Sequence, residues 1–189
     1  FVNDKSINTL ANAAGKRVAV LDYDPTQAEM VAQVGATPGA SDIVSAPNKF
    51  NNGVVDVLAC PLVAYEVLEL YKGMEPDGGI INYPLAQITM QLIGRKDKFP
   101  NEVAQLVREE FFNSYHLIKE RLDQEAAKVP DRWWIEIPDA DKREYETMMQ
   151  EARLTLREKG YYDGDMLTLQ RKIRCKLNPS KGECADPVE

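Results

Sequence analysis

The sequence predicts an α/β fold, with a mostly parallel sheet flanked by helices and long C-terminal helices following it. Residues 18–21, Val-Ala-Val-Leu, are continuously apolar, as a strand is when both faces of a parallel sheet are covered. A second apolar run, 54–60, follows after two helix-length segments, the alternation that builds parallel β units. Beyond Gly94 the pattern changes to an apolar stripe at i, i+3, i+4 spacing, held for many turns.

In chain order, residues 1–14 are polar and weakly patterned and read as an incoming linker. Strand 18–21 then meets Asp22-Tyr23-Asp24-Pro25-Thr26, a strand-to-helix turn. Asp24 or Thr26 caps the next helix, Pro25 sits in its first turn, and Gly35 stops it. Residues 43–50 suggest a short helix capped by Ser41 or Asp42 and interrupted by Pro47. Asn51-Asn52-Gly53 turns the chain into strand 54–59. Residues 61–71 read as one helix with Leu62, Tyr65, Val67, Leu68 and Tyr71 on its apolar side. Residues 80–83 and 85–93 look extended. Asn101 is expected to cap a helix running to about 128, with Val103, Leu106, Val107, Phe111, Tyr115, Ile118 and Leu122 as its stripe. Residues 133–137 are extended, and helices at 140–159 and from Asp163 or Asp165 to 176 complete the chain. The α/β lobe is thus 15–95 and the helical part 96–189.

The chain has 189 residues, enough to bury a sizeable core, and ordinary proportions of hydrophobic (44%) and charged (28%) residues. Its net charge of −7 disfavours nucleic acid, which requires clustered Lys and Arg. No apolar run approaches the roughly 18 residues needed to cross a bilayer. Cys175 and Cys184 lie close together with Pro179 and Gly182 between them, spacing that suits a disulfide and an oxidising compartment; two free thiols are the alternative. Cys60 falls in an apolar run, where a free Cys is usually a small hydrophobe. No metal-ligand set is visible, since His116 is the sole histidine and distant, and no cofactor motif appears.

Ligands of open parallel sheets bind beyond the carboxyl ends of the strands. That rule selects Asp22, Tyr23, Asp24 and Thr26 after the first strand and Cys60 and Pro61 after the second. The N-terminus of helix 61–71 would offer free N–H groups there. The simpler reading of Asp24 and Thr26 is helix capping. Tyr65 and Tyr83 are candidate stacking walls, although a Tyr on an apolar stripe is more often core. Of Trp133 and Trp134, adjacent and so on opposite faces of a strand, one is expected in the core. Asp163-Gly164-Asp165 lacks the acidic series of a calcium loop and is better read as a cap.

INTLANAAGKRVAV, VGATPG and KFNNGVVDVLACPL, followed by LIGRKDKFPNEVAQLVREEF, resemble in order the solute-binding proteins of TRAP transporters (DctP type) over about half the chain. The resemblance implies a periplasmic-binding-protein-like lobe and no catalytic activity. It implies a small-molecule solute as ligand, membrane transporter subunits or a sensor as partners, and an extracytoplasmic location. It also implies that a first lobe precedes Phe1. The family's carboxylate-binding Arg falls on Ala19 and its ligand-contacting Asn on Cys60; Arg17 shares the strand face of Ala19. Two other functions use the same residues. An enzyme would take Asp22, Asp24 or Cys60 as acid, base or nucleophile, and an interaction module would dock a partner at Trp133 and Trp134.

Overall fold

The computed structural model describes residues 1–85 and 92–189. The middle of the extended segment expected at 85–93 lies outside the described residues.

After a short helix α1 (Leu10–Ala13), strand β1 (Arg17–Leu21) pairs in parallel with both β2 (Thr37–Ser41) and β3 (Val57–Leu58), in the order β2-β1-β3. β4 (Ile80–Ile81) pairs in parallel with β5 (Trp134–Ile135). Val2 joins the two sheets, bridging antiparallel to Val57 on one side and Gly79 on the other. Every named strand therefore runs the same way, and among the described residues the antiparallel bridges are those of Val2. Residues 1–14, expected as a linker, carry anchors: Phe1, Val2 and Ile7 are buried.

β2 was not anticipated, because Thr-Pro-Gly-Ala-Ser lacks a strand's composition. It forms on the sheet edge, where Pro38 need not donate to a further neighbour. Helix α2 (Pro25–Gln33) starts as expected, with Asp24 accepting from the Thr26 and Gln27 N–H groups and Pro25 in the first turn. It ends in a Schellman arrangement in which the Ala36 N–H reaches the Val31 carbonyl at 3.2 Å. In α3 (Ser45–Asn51) Pro47 is the third helical residue, where its missing N–H costs no helical bond, so it does not interrupt. Asp42 caps by accepting from Val44 N at 2.8 Å and Ser45 N at 2.9 Å.

The single helix expected at 61–71 is two short ones, α4 (Ala64–Val67) and α5 (Tyr71–Met74). Glu69, at φ 50°, breaks it between them. The break turns Leu70 wholly inward and leaves Val67 76% exposed, an exchange a continuous helix cannot make. The core is built from Phe50, Val55, Leu58, Tyr65, Leu70, Met74 and Trp133.

Helix α6 (Asn101–Ala126) begins one residue earlier than expected, with Pro100 rather than Asn101 at its cap position. Its stripe is not core. Glu125 is the helix's one buried residue, whereas Leu106, Phe111 and Tyr115 are each at least half exposed. Lys128, which donates to the carboxylates of both Glu125 and Glu66, ties the end of α6 to α4. Helix α7 (Asp139–Glu158) buries Tyr145, Ala152 and Leu156, and Lys159 at its end pairs with Glu29 of α2. Helix α8 (Gly164–Leu177) is capped by Asp163, which accepts from Met166 N at 2.8 Å, and α9 (Gly182–Ala185) follows.

At the amino edge Arg17 grips Asp56 through Nε to Oδ2 (3.0 Å) and Nη2 to Oδ1 (2.7 Å), and also donates to the Gly53 carbonyl. The Arg17 hydrogen bonds hold the Asp56 carboxyl down at about 2, below its ordinary 3.8. A depressed carboxyl contributes stability above its unfolded pKa and loses it as pH falls through the folded one. Asp56→Asn should therefore cost about 1–2 kcal/mol at pH 7, allowing for the half-exposed guanidinium. It should also remove the part of the acid-unfolding slope between about pH 4 and 2. Urea titrations of both proteins at pH 7 and pH 2 check this; equal stability at pH 7 refutes it.

Candidate functional site

Because all five strands are parallel and Val2 bridges the two sheets, the loops after them leave at one edge. These loops begin at Asp22, Asp42, Ala59, Asn82 and Glu136. Phe1 lies at this edge too, since the Leu58 N–H donates to its carbonyl at 2.9 Å.

After β1, Asp22 and Tyr23 face outward, with Tyr23 64% exposed. Asp24 and Thr26 are spent on the helix start: Asp24 Oδ1 accepts from the Thr26 N–H and from the Thr26 hydroxyl. After β3, Cys60 is half-buried against the core cluster and Pro61 is exposed. Burial raises the Cys60 thiol from 9.0 to about 11, the reverse of what activates a nucleophile. Tyr65 is core, not wall, set edge-on to Tyr71 with centroids 6.0 Å apart. The N-terminus expected at 61 does not exist as a helix end, since α4 starts at Ala64 and has only four residues. After β4, Tyr83 follows Asn82 and packs on α7 through Tyr145, centroids 5.5 Å apart. Trp133 is the Trp that fills the core.

Two edge residues escaped the sequence reading. Asn82 Nδ2 donates to Glu136 Oε1 at 2.6 Å, joining the loops after β4 and β5. The signal for Asn82 was its place directly after an apolar pair; Glu136 had none, because the pairing of β5 with β4 spans 54 residues. Arg17 lies at the opposite end of β1 from this edge and is committed to Asp56, so it is not a replacement for a carboxylate-binding Arg. Among the described residues no three His, Cys, Asp or Glu side chains gather as a metal set, and no helix is long and apolar enough to cross a membrane.

Parallel strands that open at one edge, with Val2 bridging antiparallel between the two sheets, are a fold that solved structures share. A TRAP periplasmic solute-binding protein from Desulfovibrio salexigens, with bound orotic acid, superposes with a TM-score of 0.59 at 18% identity, covering 82% of this chain and 51% of that one. The periplasmic ectoine-binding protein of the TeaABC TRAP transporter of Halomonas elongata gives 0.60 at 16% identity, over 83% and 53%. The chain belongs to the family described as "Solute-binding protein AdeT 1/2", whose model matches residues 1–189. It is 40% identical over 185 residues to "Probable solute-binding protein AdeT1" of Acinetobacter baumannii, covering 98% of this chain and 61% of that protein. With AdeT2 of the same organism it shares 28% identity over 180 residues, 95% of this chain and 76% of that one.

Proposed function

We propose that this chain forms one wall of a cleft that captures a small polar solute outside the cytoplasm for a membrane transporter or a sensor, without catalysing a reaction on it. The observation that carries this reading is the shared edge, where five parallel strands end with Phe1 and Val2 beside them. In that position a second body of protein would face Asp22, Tyr23, Cys60, Pro61 and Asn82 directly. Residues 15–95 supply most of the wall, β5 from the remainder pairs into it, and the helices of 96–189 support it. Solute would favour the closed arrangement only to the extent that it binds it more tightly than the open one. Family membership supports capture, and the Cys175–Cys184 disulfide supports an oxidising, extracytoplasmic setting.

Native mass spectrometry of the longest natural precursor, followed by thermal shift with the recovered molecule, tests this. A cognate solute at about 100 times its Kd should add about 2.7 kcal/mol of stability, which raises Tm by roughly 5–10 °C. Tyr23→Ala, at an exposed position, should leave the unliganded Tm unchanged and weaken binding by about tenfold. A precursor that retains nothing and shifts with none of a panel of carboxylate, amine and polyol solutes overturns the reading.

A further inference from the structure

Far from the sheet edge, four arginines of α7 and α8 close around the segment 178–189. Arg153 of α7 donates from Nε to Glu189 Oε1 at 2.6 Å, and Arg174 of α8 donates from Nη2 to Glu189 Oε2 at 2.5 Å. The Glu189 side chain is fully covered, so this carboxylate sits between the two helices with a guanidinium from each. Glu183 repeats the bridge: Arg174 grips it bidentately at 2.9 and 2.7 Å, and Arg153 Nη2 lies 3.6 Å away. Arg171 and Arg157 donate to the main-chain oxygens of Glu189 and Val188, both at 3.1 Å. Arg174 holds the Glu183 carboxyl below its ordinary range. The same segment is crosslinked to α8 through Cys175–Cys184.

Helix α8 needs such a hold. Of its 14 residues only Leu167 is buried, while Met166, Leu169 and Ile173 are each half exposed. A helix of that length is marginal in water on its own and depends on what packs against it. Apolar burial supplies little here, and the charge-assisted bridges to α7 supply the rest.

We propose that segment 178–189 is a two-point latch. Its carboxylates Glu183 and Glu189 fill an arginine notch shared by α7 and α8, and the disulfide keeps them within reach, so that α8 stays docked and helical only while the notch is filled. The two points are unequal. Opening the disulfide lengthens the tether to Glu189 from about 5 residues to about 14, which lowers its local concentration at the notch by about fivefold. Removing the Glu189 charge leaves Arg153 and Arg174 with only the Glu183 carboxylate between them and costs more. The latch thereby makes the docking of α8 sensitive to thiol–disulfide conditions.

Hydrogen exchange of the whole chain, read by mass spectrometry, tests the latch. In the oxidised wild type, amides of residues 164–177 should be protected. Glu189→Gln should speed their exchange by about tenfold, the scale of one lost charge-assisted pair on a covered carboxylate. Reduction of the wild type by a phosphine should speed it by about fivefold, with strand 17–21 unchanged in both cases. Exchange over 164–177 within about twofold of wild type in Glu189→Gln overturns the proposal. Should that variant lose protection in strand 17–21 as well, the reduced wild type decides, and unaltered α8 exchange on reduction overturns it.

Discussion

Replacing Gly78 with Ala should break the junction of the two sheets, at a cost of about 3 kcal/mol or more and a fall in Tm of roughly 6–12 °C. A Cβ on Gly78 would stand 2.4 Å from the Val2 carbonyl oxygen, 2.6 Å from that of Met74 and 2.7 Å from Met74 Cα. All three are backbone atoms, so no side chain can rotate away and the main chain itself must move. The neighbouring residue carries the consequence: Val2 and Gly79 exchange N–H to carbonyl bonds of 2.9 Å in both directions. That pair, with the Val2–Val57 bridge, is what joins β3 to β4. Gly182→Ala is the control, since nothing lies near its Cβ position, and it should stay within about 0.5 kcal/mol of wild type. Calorimetry of the three proteins decides the matter. A Gly78→Ala melting point within about 2 °C of wild type would show that Val2 bridging is not what holds the sheets together.

The native Cys60 thiol should react with iodoacetamide at pH 8 about 100-fold more slowly than an ordinary cysteine, because a pKa near 11 rather than 9.0 leaves about 100-fold less thiolate. The experiment is clean, since Cys175 and Cys184 are joined and Cys60 is the chain's free thiol. Denaturation should restore the ordinary rate by exposing the side chain. The comparison discriminates between functions as well as burial. A nucleophile awaiting substrate needs a depressed pKa, and a cleft wall does not. Rapid stoichiometric alkylation of the folded protein, with a rate midpoint below pH 9, would return the enzyme reading to the front.

The elements legible in the sequence were those whose determinants lie within a few residues. The α2 start needed only Asp24, Pro25 and Thr26, all in one turn. The disulfide needed two cysteines nine residues apart. The resemblance to TRAP solute-binding proteins, carried by ordered blocks of sequence, holds for the fold. What misled was context. Pro38 and Gly39 argue against a strand, yet an edge position in the sheet accommodates both. The helix pattern over 61–71 is sound as a pattern, but burying Leu70 and Tyr65 together is worth more than continuity, and Glu69 yields. The stripe on α6 is a true amphipathic signal, and periodicity reports that a face is apolar without reporting what covers it.

For the candidate site, chain order alone placed Asp22, Tyr23, Cys60 and Pro61 at strand ends, because strand direction follows from the alternation of strands and helices. Only the folded chain removed Tyr65 to the core, spent Asp24 and Thr26 on the start of α2, turned Arg17 to Asp56 and brought Glu136 beside Asn82. The division has one physical cause. Strand propensity, capping and loop closure over a few residues are local free energies that the sequence displays directly. Which side chain an edge, a notch or a core retains is decided by pairings across 39 residues for Arg17–Asp56, 54 for Asn82–Glu136 and 36 for Arg153–Glu189, and those exist only after the chain has packed.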